Sequence, residues 1–216
     1  MEGSMTGSAR GPVTGVGRHA ERLAADSFKD VMGRFPTGVV VVTTRWRGGH
    51  QAMTASSLTS VSLEPPLVLF CVERRASFHD AVLGAGAWAV SMLSEEQSTM
   101  SDRFAGRASR TRRDFVGLEH SHGRITGAAL LRGALATIEC RTWATYAGGD
   151  HTIVVGRVLA ASVSRPDGRP LTYWRGRYRS LNPTDPAPRP HNPDNDPPTA
   201  DPPTADPPTA GPASPH

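Results

Sequence analysis

FPTGVVVVTTRWRGGHQAMTASSLTSVSLEPPLVLFC, residues 35–71, is the stretch that decides the fold of this chain. Its β-branched run Gly38–Thr44 predicts a strand, and Arg47-Gly48-Gly49 predicts the turn that follows. Gln51–Leu63 is expected to continue as extended structure, and Leu67–Val72 predicts another apolar strand. Between the apolar strands lies an unusual density of small hydroxyl side chains, at Thr54, Ser56, Ser57, Thr59, Ser60 and Ser62.

This hydroxyl-rich segment suits a large, flat ligand with a polar edge. Short hydroxyls and backbone N–H groups supply hydrogen-bond donors without bulk, so such a ligand can lie close to the backbone. A flavin has these properties, because its ring carries carbonyl and nitrogen acceptors and its side chain carries hydroxyls and a phosphate. The segment fits an ordinary half-exposed strand equally well, since Thr is a good strand former. The residues of this segment leave both interpretations open.

The pattern around this stretch is mainly β. Short helices are expected at Ser27–Phe35, Ser77–Leu83 and Glu95–Phe104. Ala134–Tyr146 and Thr152–Val163 have the pattern of two long strands that frame a turn. Because most of the strands are joined by turns and helices are few, the pattern favours an antiparallel barrel over a βαβ sheet.

Composition divides the chain into one folded domain and two extensions. Its 216 residues fit one domain with a full core plus tails. Residues 1–23 are rich in Gly, Ser and Arg and are expected to be a disordered leader. Residues 182–216 are Pro-rich and contain DPPTA in succession over 196–210, which predicts a disordered tail, either a neutral extension or a docking segment. The folded domain is therefore expected at residues 24–181.

Charge and composition argue against several classes of function. The arginines are scattered and not interleaved with aromatic residues, so no nucleic-acid binding is expected. No run of ~20 apolar residues and no apolar leader occur, so neither membrane spanning nor export is expected. Cys71 and Cys140 are the only cysteines. They are expected to be buried structural thiols in a reducing cytoplasm.

Motifs for other chemistries fail in their context. Residues 15–20 and 84–89 match the G-x-G-x-x-A dinucleotide fingerprint. The first lies in the leader and the second ends a helix before a strand, the reverse of the order that binds a pyrophosphate. No tight histidine cluster marks a metal site: His120 and His122 lie in a polar loop and are expected to be solvated. No metal is predicted.

Six segments between Phe28 and Tyr178 fall together in a known order and spacing. They are FPTGV (35–39), MTASSLTSVSLEPPLV (53–68), C-V-x-R-R-x-S (71–77), RFAG (103–106), GDH (149–151) and R-G-x-Y (175–178). In this order and spacing the chain resembles the flavin reductase family, the small reductase components of two-component flavin monooxygenases. One departure is Ser91, where the family usually has Asn.

The resemblance implies a fold and a set of partners. The fold is an FMN-binding split barrel with Greek-key antiparallel strands. The chain would form a homodimer with FMN or FAD near the subunit interface, and NADH or NADPH would be the electron donor. Its reduced flavin would diffuse to a partner monooxygenase.

The resemblance also implies which residues contact the cofactors. Thr54, Ala55, Ser56 and Ser57 would line the flavin, Arg74, Ser77, Arg103 and Phe104 would lie near its phosphate, and Thr37, Cys71 and Gly149 would complete the cofactor site. His151 would lie close to the nicotinamide, with Tyr178 at the edge of the site. Ser77 fits a helix N-cap equally well, and Tyr178 fits a core aromatic residue.

Hydride transfer from nicotinamide to flavin explains why no catalytic triad or carboxylate pair is found. The cofactors carry the chemistry and the protein positions them, so His151 is expected to position the nicotinamide and not to act as an acid or base. Two other interpretations stay open. One is a non-catalytic flavin carrier or sensor on the same barrel, and the other is a split-barrel oxidase with a dedicated substrate pocket.

Overall fold

The computed structural model describes residues 25–105 and 114–181. The expected leader 1–23 and the DPPTA tail 182–216 lie outside the described residues. Across the two described ranges, no helix combines the length and the hydropathy needed to span a membrane.

Three helices and twelve strands make up the described chain. The helices are α1 (Ala25–Met32), α2 (Ser77–Ala85) and α3 (Ser98–Ala105), the last preceded by a 3₁₀ turn at Glu95–Gln97. The strands are β1 (Thr37–Gly38), β2 (Val40–Trp46), β3 (Gly49–Ala55), β4 (Thr59–Leu63), β5 (Pro66–Glu73), β6 (Ala87–Met92), β7 (His120–His122), β8 (Ala129–Leu131), β9 (Ala136–Gly148), β10 (His151–Val163), β11 (Thr172–Trp174) and β12 (Arg177–Arg179).

Seven strands form one antiparallel sheet in the order β3-β2-β6-β9-β10-β5-β4. The edge strands β3 and β4 are joined only by Ser56, Ser57 and Leu58. Such a link spans at most roughly 14 Å, whereas the edges of a flat seven-stranded sheet lie about 29 Å apart. The sheet must therefore curl until its edges approach each other, which confirms the predicted antiparallel barrel. We call residues 56–58 the seam.

Strand β2 lies inside the sheet and is buried on both faces. Since side chains alternate along a strand, Val40 and Val42 point into one hydrophobic cluster and Val41 into another. The first cluster contains Phe70 and Trp88, whose rings pack edge to face at 4.9 Å. The second cluster contains Val39, Leu93, Phe104, Leu131 and Leu171. This packing fixes β3 and the seam beside a rigid core.

Two predicted elements differ in their bounds. The hydroxyl-rich segment was expected to be continuous, but β3 ends at Ala55 and β4 begins at Thr59. The first helix was expected at Ser27–Phe35 and is found at Ala25–Met32. Its apolar residues Phe28, Val31 and Met32 are about half exposed or more, at 53%, 66% and 49%. The amphipathic pattern is present, but no core element of the described chain covers its apolar face.

Candidate functional site

Most of the predicted site residues converge on one cavity of about 450 Å³ at the seam. The end of β3, the seam, β5, the start of α2, α3 and the β9–β10 hairpin all contribute to its wall. The predicted residues that line it are Thr54, Ala55, Ser56, Ser57, Cys71, Ser77, Phe104 and His151. The structure therefore brings together side chains that are up to a hundred residues apart in the chain.

The hydroxyls near the seam are held in place by the surrounding backbone. Thr54 Oγ1 donates to the carbonyl of Ser101 at 2.7 Å. Ser57 Oγ accepts from the backbone N–H of Cys71 at 3.0 Å. The hydroxyl protons of both residues point to carbonyls, that of Ser57 to Cys71 at 3.5 Å, so each group keeps for a ligand only the capacity to accept.

The seam also presents backbone donors. Ser56, Ser57 and Leu58 lie outside the sheet ladder. Among the described residues, no backbone carbonyl accepts from their N–H groups. Ser56 is exposed and Ser57 and Leu58 are partly exposed, so a ligand with a carbonyl edge can reach these N–H groups and accept from them.

The start of α2 contributes one end of the cavity. Ser77 is the first helical residue, and the N-cap is Ala76, which makes no side-chain capping hydrogen bond. The alternative of Ser77 as the N-cap is therefore wrong. The first N–H groups of a helix have no intrahelical partner and carry the positive end of the helix dipole. With Ser77 lining the cavity beside them, they suit a phosphate.

His151 opens β10 at the tip of its hairpin with β9. Its Nδ1 lies 2.7 Å from Asp150 Oδ1. The hydrogen bond from His151, and then its charge, lower the pKa of Asp150. An ionised carboxylate only accepts, so Nδ1 carries the proton and Nε2 is left for a ligand. The side chain is 42% exposed, which makes it accessible from the cavity mouth.

Tyr178 lies in a smaller adjoining cavity of about 210 Å³, which shares Thr54, Ala55 and Ser56 with the first. Its hydroxyl is 2.8 Å from both Ser101 Oγ and Asp102 Oδ1. Its ring also packs against the second hydrophobic cluster. The two sequence interpretations of Tyr178, site edge and core aromatic, are therefore compatible.

Thr37 lies in a third cavity, of about 500 Å³, on the other side of the seam. Residues 35–40, 56–59, Leu135 and Pro170 contribute to its wall. Among the described residues, no hydrogen-bond partner satisfies the buried Oγ1 of Thr37. This cavity is slightly larger but lacks a helix N-terminus and a histidine, so the first cavity is the better site for a phosphate-bearing cofactor.

Three predicted residues line none of these cavities. The guanidinium of Arg103 donates to Asp114 Oδ1 at 3.0 Å and to the carbonyl of Val116 at 2.9 Å. The backbone N–H of Arg74 donates to the carbonyl of Asp150 at 3.0 Å. Gly149 has a φ of 72° in the hairpin turn, a backbone conformation suited to glycine. Their cofactor contacts stay predictions.

Sequence reasoning missed several lining residues and one difference between the thiols. Glu73, Ala76 and Phe78 also line the first cavity. Alternation along β5 could have indicated Glu73, since Cys71 and Glu73 lie on the same face.

The two cysteines were both expected to be buried. Cys71 is only half-buried, whereas burial, and then the charge of Glu139, raise the pKa of the Cys140 thiol to about 12.

The expectation of solvated loop histidines with no tight histidine cluster is wrong, although His122 is exposed. His120 and His122 belong to β7, not to a loop, and β7 pairs with β8. With His50 they form a cluster whose candidate ligand atoms all lie within 4.8 Å of one another. None of the three lines the cavity at the seam.

Comparison with known proteins agrees with this geometry. Residues 32–182 match the family described as the flavin reductase like domain. The chain is 42% identical over 156 residues to the reductase component of 4-hydroxyphenylacetate 3-monooxygenase of Thermus thermophilus, covering 72% of this chain and 96% of that protein. It is 40% identical over 157 residues to the NADH-dependent FMN reductase AsuE2 of Streptomyces nodosus subsp. asukaensis, covering 71% and 83%.

A solved structure extends the likeness to three dimensions. The NADH:FAD oxidoreductase SgcE6 of Streptomyces globisporus, in complex with NAD and FAD fragments, is 38% identical with a TM-score of 0.68, covering 74% of this chain and 93% of that one. The predicted mainly β split barrel is confirmed, and none of these three proteins is named as a non-catalytic flavin carrier. The chain belongs to the flavin reductase like domain family.

Proposed function

We propose that this chain reduces FMN or FAD with NADH or NADPH and supplies the reduced flavin to a partner monooxygenase. The observation that carries the proposal is the convergence, in one cavity, of unpaired backbone donors at the seam, the N-terminus of α2 and His151. These three groups match the polar edge of a flavin ring, its phosphate and an approaching second ring. The named relatives support both the electron donor and the partner class.

The residues of the cavity fit a flavin without supplying chemistry of their own. The N–H groups of Ser56 and Ser57 would hold the ring edge, and the first turn of α2 with Ser77 would hold the phosphate. A bound flavin would supply the hydride-accepting chemistry and NAD(P)H the hydride, so the protein needs no acid or base of its own. His151 positions the nicotinamide through the Nε2 that its bond to Asp150 leaves available.

A homodimer accounts for the apolar surface of the chain. The α1 face is uncovered in the described part of the chain, and the edge strand β4 exposes Leu63 at 91%. Trp143 on the outer face of β9 adds to this surface. An apolar helix face left uncovered in this way is a candidate interaction site. Size-exclusion chromatography with light scattering tests the dimer, and a single subunit at micromolar concentration contradicts it.

A cytoplasmic location is part of the same proposal. Cys71 and Cys140 are both free, and Cys71 is half-buried in the cofactor cavity. Free thiols persist in a reducing compartment, where NAD(P)H is also available as reductant. Localisation of a tagged full-length chain checks this, and a periplasmic or extracellular signal contradicts it.

The activity is tested by mixing the purified full chain with NADH or NADPH, each with and without FMN or FAD. The expected result is loss of the reduced-nicotinamide absorption band only when free flavin is added. Flavin binding without nicotinamide oxidation would support the carrier interpretation instead. Coupling to a monooxygenase is tested by supplying a purified oxygenase component and measuring product.

A further inference from the structure

A cluster of three histidines lies apart from the cavity of about 450 Å³ at the seam, which we call the flavin cavity after its proposed ligand. We call the cluster the histidine triad: His50 on β3 and His120 and His122 on β7. The rings of His50 and His122 stack with centroids 5.0 Å apart. His120 meets His50 and His122 edge to face at 5.6 Å and 5.5 Å. One candidate ligand atom from each ring lies within 4.8 Å of the other two.

Paired strands hold the triad together. Since side chains alternate along a strand, His120 and His122 share one face of β7, while Ser121 points to the other. Strand β8, which pairs with β7, is tied to β2 by the hydrogen bond from Thr43 Oγ1 to the carbonyl of Ala129 at 2.6 Å. Strand β2 in turn pairs with β3, placing Arg45 opposite His50. The three rings are therefore carried by connected sheet elements.

The hydrogen bonds of the triad leave nitrogen atoms available. His120 Nδ1 lies 2.8 Å from the carbonyl of Leu118. A carbonyl only accepts, so Nδ1 carries the proton and Nε2 keeps its lone pair, as in histidines that bind metals. His50 Nε2 and His122 Nε2 lie 3.0 Å apart. His50 Nδ1 is buried, and among the described residues it has no hydrogen-bond partner.

The two facing nitrogens, His50 Nε2 and His122 Nε2, satisfy each other incompletely without a cation. A neutral imidazole pair at 3.0 Å shares one proton between two nitrogens, whereas a cation accepts the lone pairs of both.

We propose that His50, His120 and His122 form a binding site for one divalent transition-metal cation of the zinc class. Imidazole nitrogen is a preferred ligand of Zn²⁺, with Zn–N distances of about 2.0–2.1 Å in tetrahedral sites. That geometry separates the ligand nitrogens by about 3.4 Å. The present separations, 3.0 Å for one pair and up to 4.8 Å overall, bracket this value, so small side-chain rotations close the site.

The surroundings of the triad fit such a cation. Phe115 packs against His50 at 5.4 Å and against His120 at 5.2 Å, forming an apolar wall. His122 is exposed, so the site opens to solvent on that side. Three protein ligands and an exposed side leave a fourth position for water, the arrangement of open zinc sites.

The test is zinc titration of the full chain after treatment with EDTA and removal of the chelator and flavin. Isothermal titration with ZnCl₂ is expected to show a site that His122→Asn weakens at least ~10-fold. Ser121→Ala, on the opposite face of β7, is the matched control and is expected to bind like the original chain. His50→Asn is expected to weaken binding as His122→Asn does.

Two further measurements keep the test decisive. His122 is exposed, so His122→Asn is expected to keep its thermal unfolding midpoint without metal, and a loss of binding then reports ligation. Titration with Co²⁺ is expected to give visible absorption bands of a tetrahedral ion that His122→Asn abolishes. Equal zinc affinity in all variants would place the metal on other histidines, such as His19, His191 or His216, and would overturn the proposal. Absence of zinc binding by the original chain would overturn it as well.

Discussion

One strand, β3, serves two regions of different construction. Its last residues, Thr54 and Ala55, line the flavin cavity, while His50 near its start belongs to the histidine triad. The cavity is built from backbone N–H groups, short hydroxyls and a helix N-terminus. The triad is built from side chains alone. The difference teaches that a backbone-lined site leaves a contiguous sequence signature, whereas a side-chain site assembled from distant strands leaves none.

The two regions approach each other through aromatic rings. Phe104 lines the flavin cavity, and its ring is 5.2 Å from that of Phe115, which packs against His50 and His120. Despite this contact, the cavity and the triad share no lining residue among those described. Substitutions that disturb one region and spare the other therefore test whether they are separate.

The largest expected effect comes from filling the seam. Ser56 is exposed and contributes to all three cavities, so Ser56→Trp places an indole at the proposed position of the flavin ring without entering the core. We expect roughly a 100-fold loss of kcat/KM for flavin, because misplacing a reactant by about 1 Å already costs that much. Steady-state kinetics with NADH in excess measures it.

The control for this change is Ser162→Trp, at an exposed position of β10 away from the cavities. It adds the same indole and is expected to keep full activity. If Ser56→Trp is as active as Ser162→Trp, the flavin does not lie at the seam. Zinc binding is expected to be unchanged in both variants.

The parts of the fold that follow from local pattern were predicted, and the parts that depend on closure were not. The β-branched run of β2 and the two long strands β9 and β10 were expected within a few residues, because alternation and turn residues are local signals. The break at residues 56–58 was not expected, since it results from the two sheet edges meeting. The hydroxyl-rich composition alone does not predict that the two edges of the sheet approach each other.

The candidate site was likewise predicted where it depends on contiguous sequence and was missed where it depends on the pairing of distant strands. Thr54, Ser57 and Cys71 follow from a contiguous stretch and its family resemblance, and they line one cavity. Arg103 was expected near the phosphate; its guanidinium binds Asp114 and Val116, and its cofactor contact stays a prediction. The triad escaped prediction because His50 and His120 are adjacent only through the pairing of β2 with β3 and the attachment of β8 to β2.

The next largest effect concerns the loop beside the triad. Glu139 is 6% exposed, and its carboxylate accepts the backbone N–H groups of Arg124, Ile125 and Thr126 and the Thr126 hydroxyl, at 2.7–3.1 Å. A Gln amide would turn an NH₂ group toward some of these donors. We expect Glu139→Gln to lower the free energy of unfolding by about 2 kcal/mol at neutral pH, measured by urea denaturation.

The loss of unfolding free energy in Glu139→Gln is expected to be larger at neutral pH than in acid. Burial raises the pKa of Glu139, but the hydrogen bonds from Thr126, Ile125 and Arg124 outweigh it, and the pKa lies below its ordinary value of 4.5. The stabilisation is therefore complete above 4.5 and disappears as the pH falls through the lower folded-state value. The difference between the original chain and Glu139→Gln should shrink in acid. A constant difference would contradict the role of the carboxylate.

A smaller effect is expected at the hairpin tip. His151→Ala removes the side chain that we assign to the nicotinamide, so the KM for NADH or NADPH should rise about 10-fold while the KM for flavin changes little. His122→Ala in EDTA is the matched control, since it removes an exposed histidine outside the cavity. An unchanged nicotinamide KM in His151→Ala would exclude the positioning role.

The smallest effect distinguishes the two thiols. Cys71 is half-buried in the flavin cavity, whereas Cys140 is buried and has a pKa of about 12. Because the thiolate is the reactive form, iodoacetamide at mildly alkaline pH should modify Cys71 and leave Cys140 unmodified until the chain is denatured. Saturating FMN should slow the modification of Cys71 about 5-fold by excluding the reagent, as measured by mass spectrometry of the peptides.

The same protection is expected in His122→Asn, because the triad lies outside the cavity. Protection that is lost in His122→Asn would mean that the two regions act as one site.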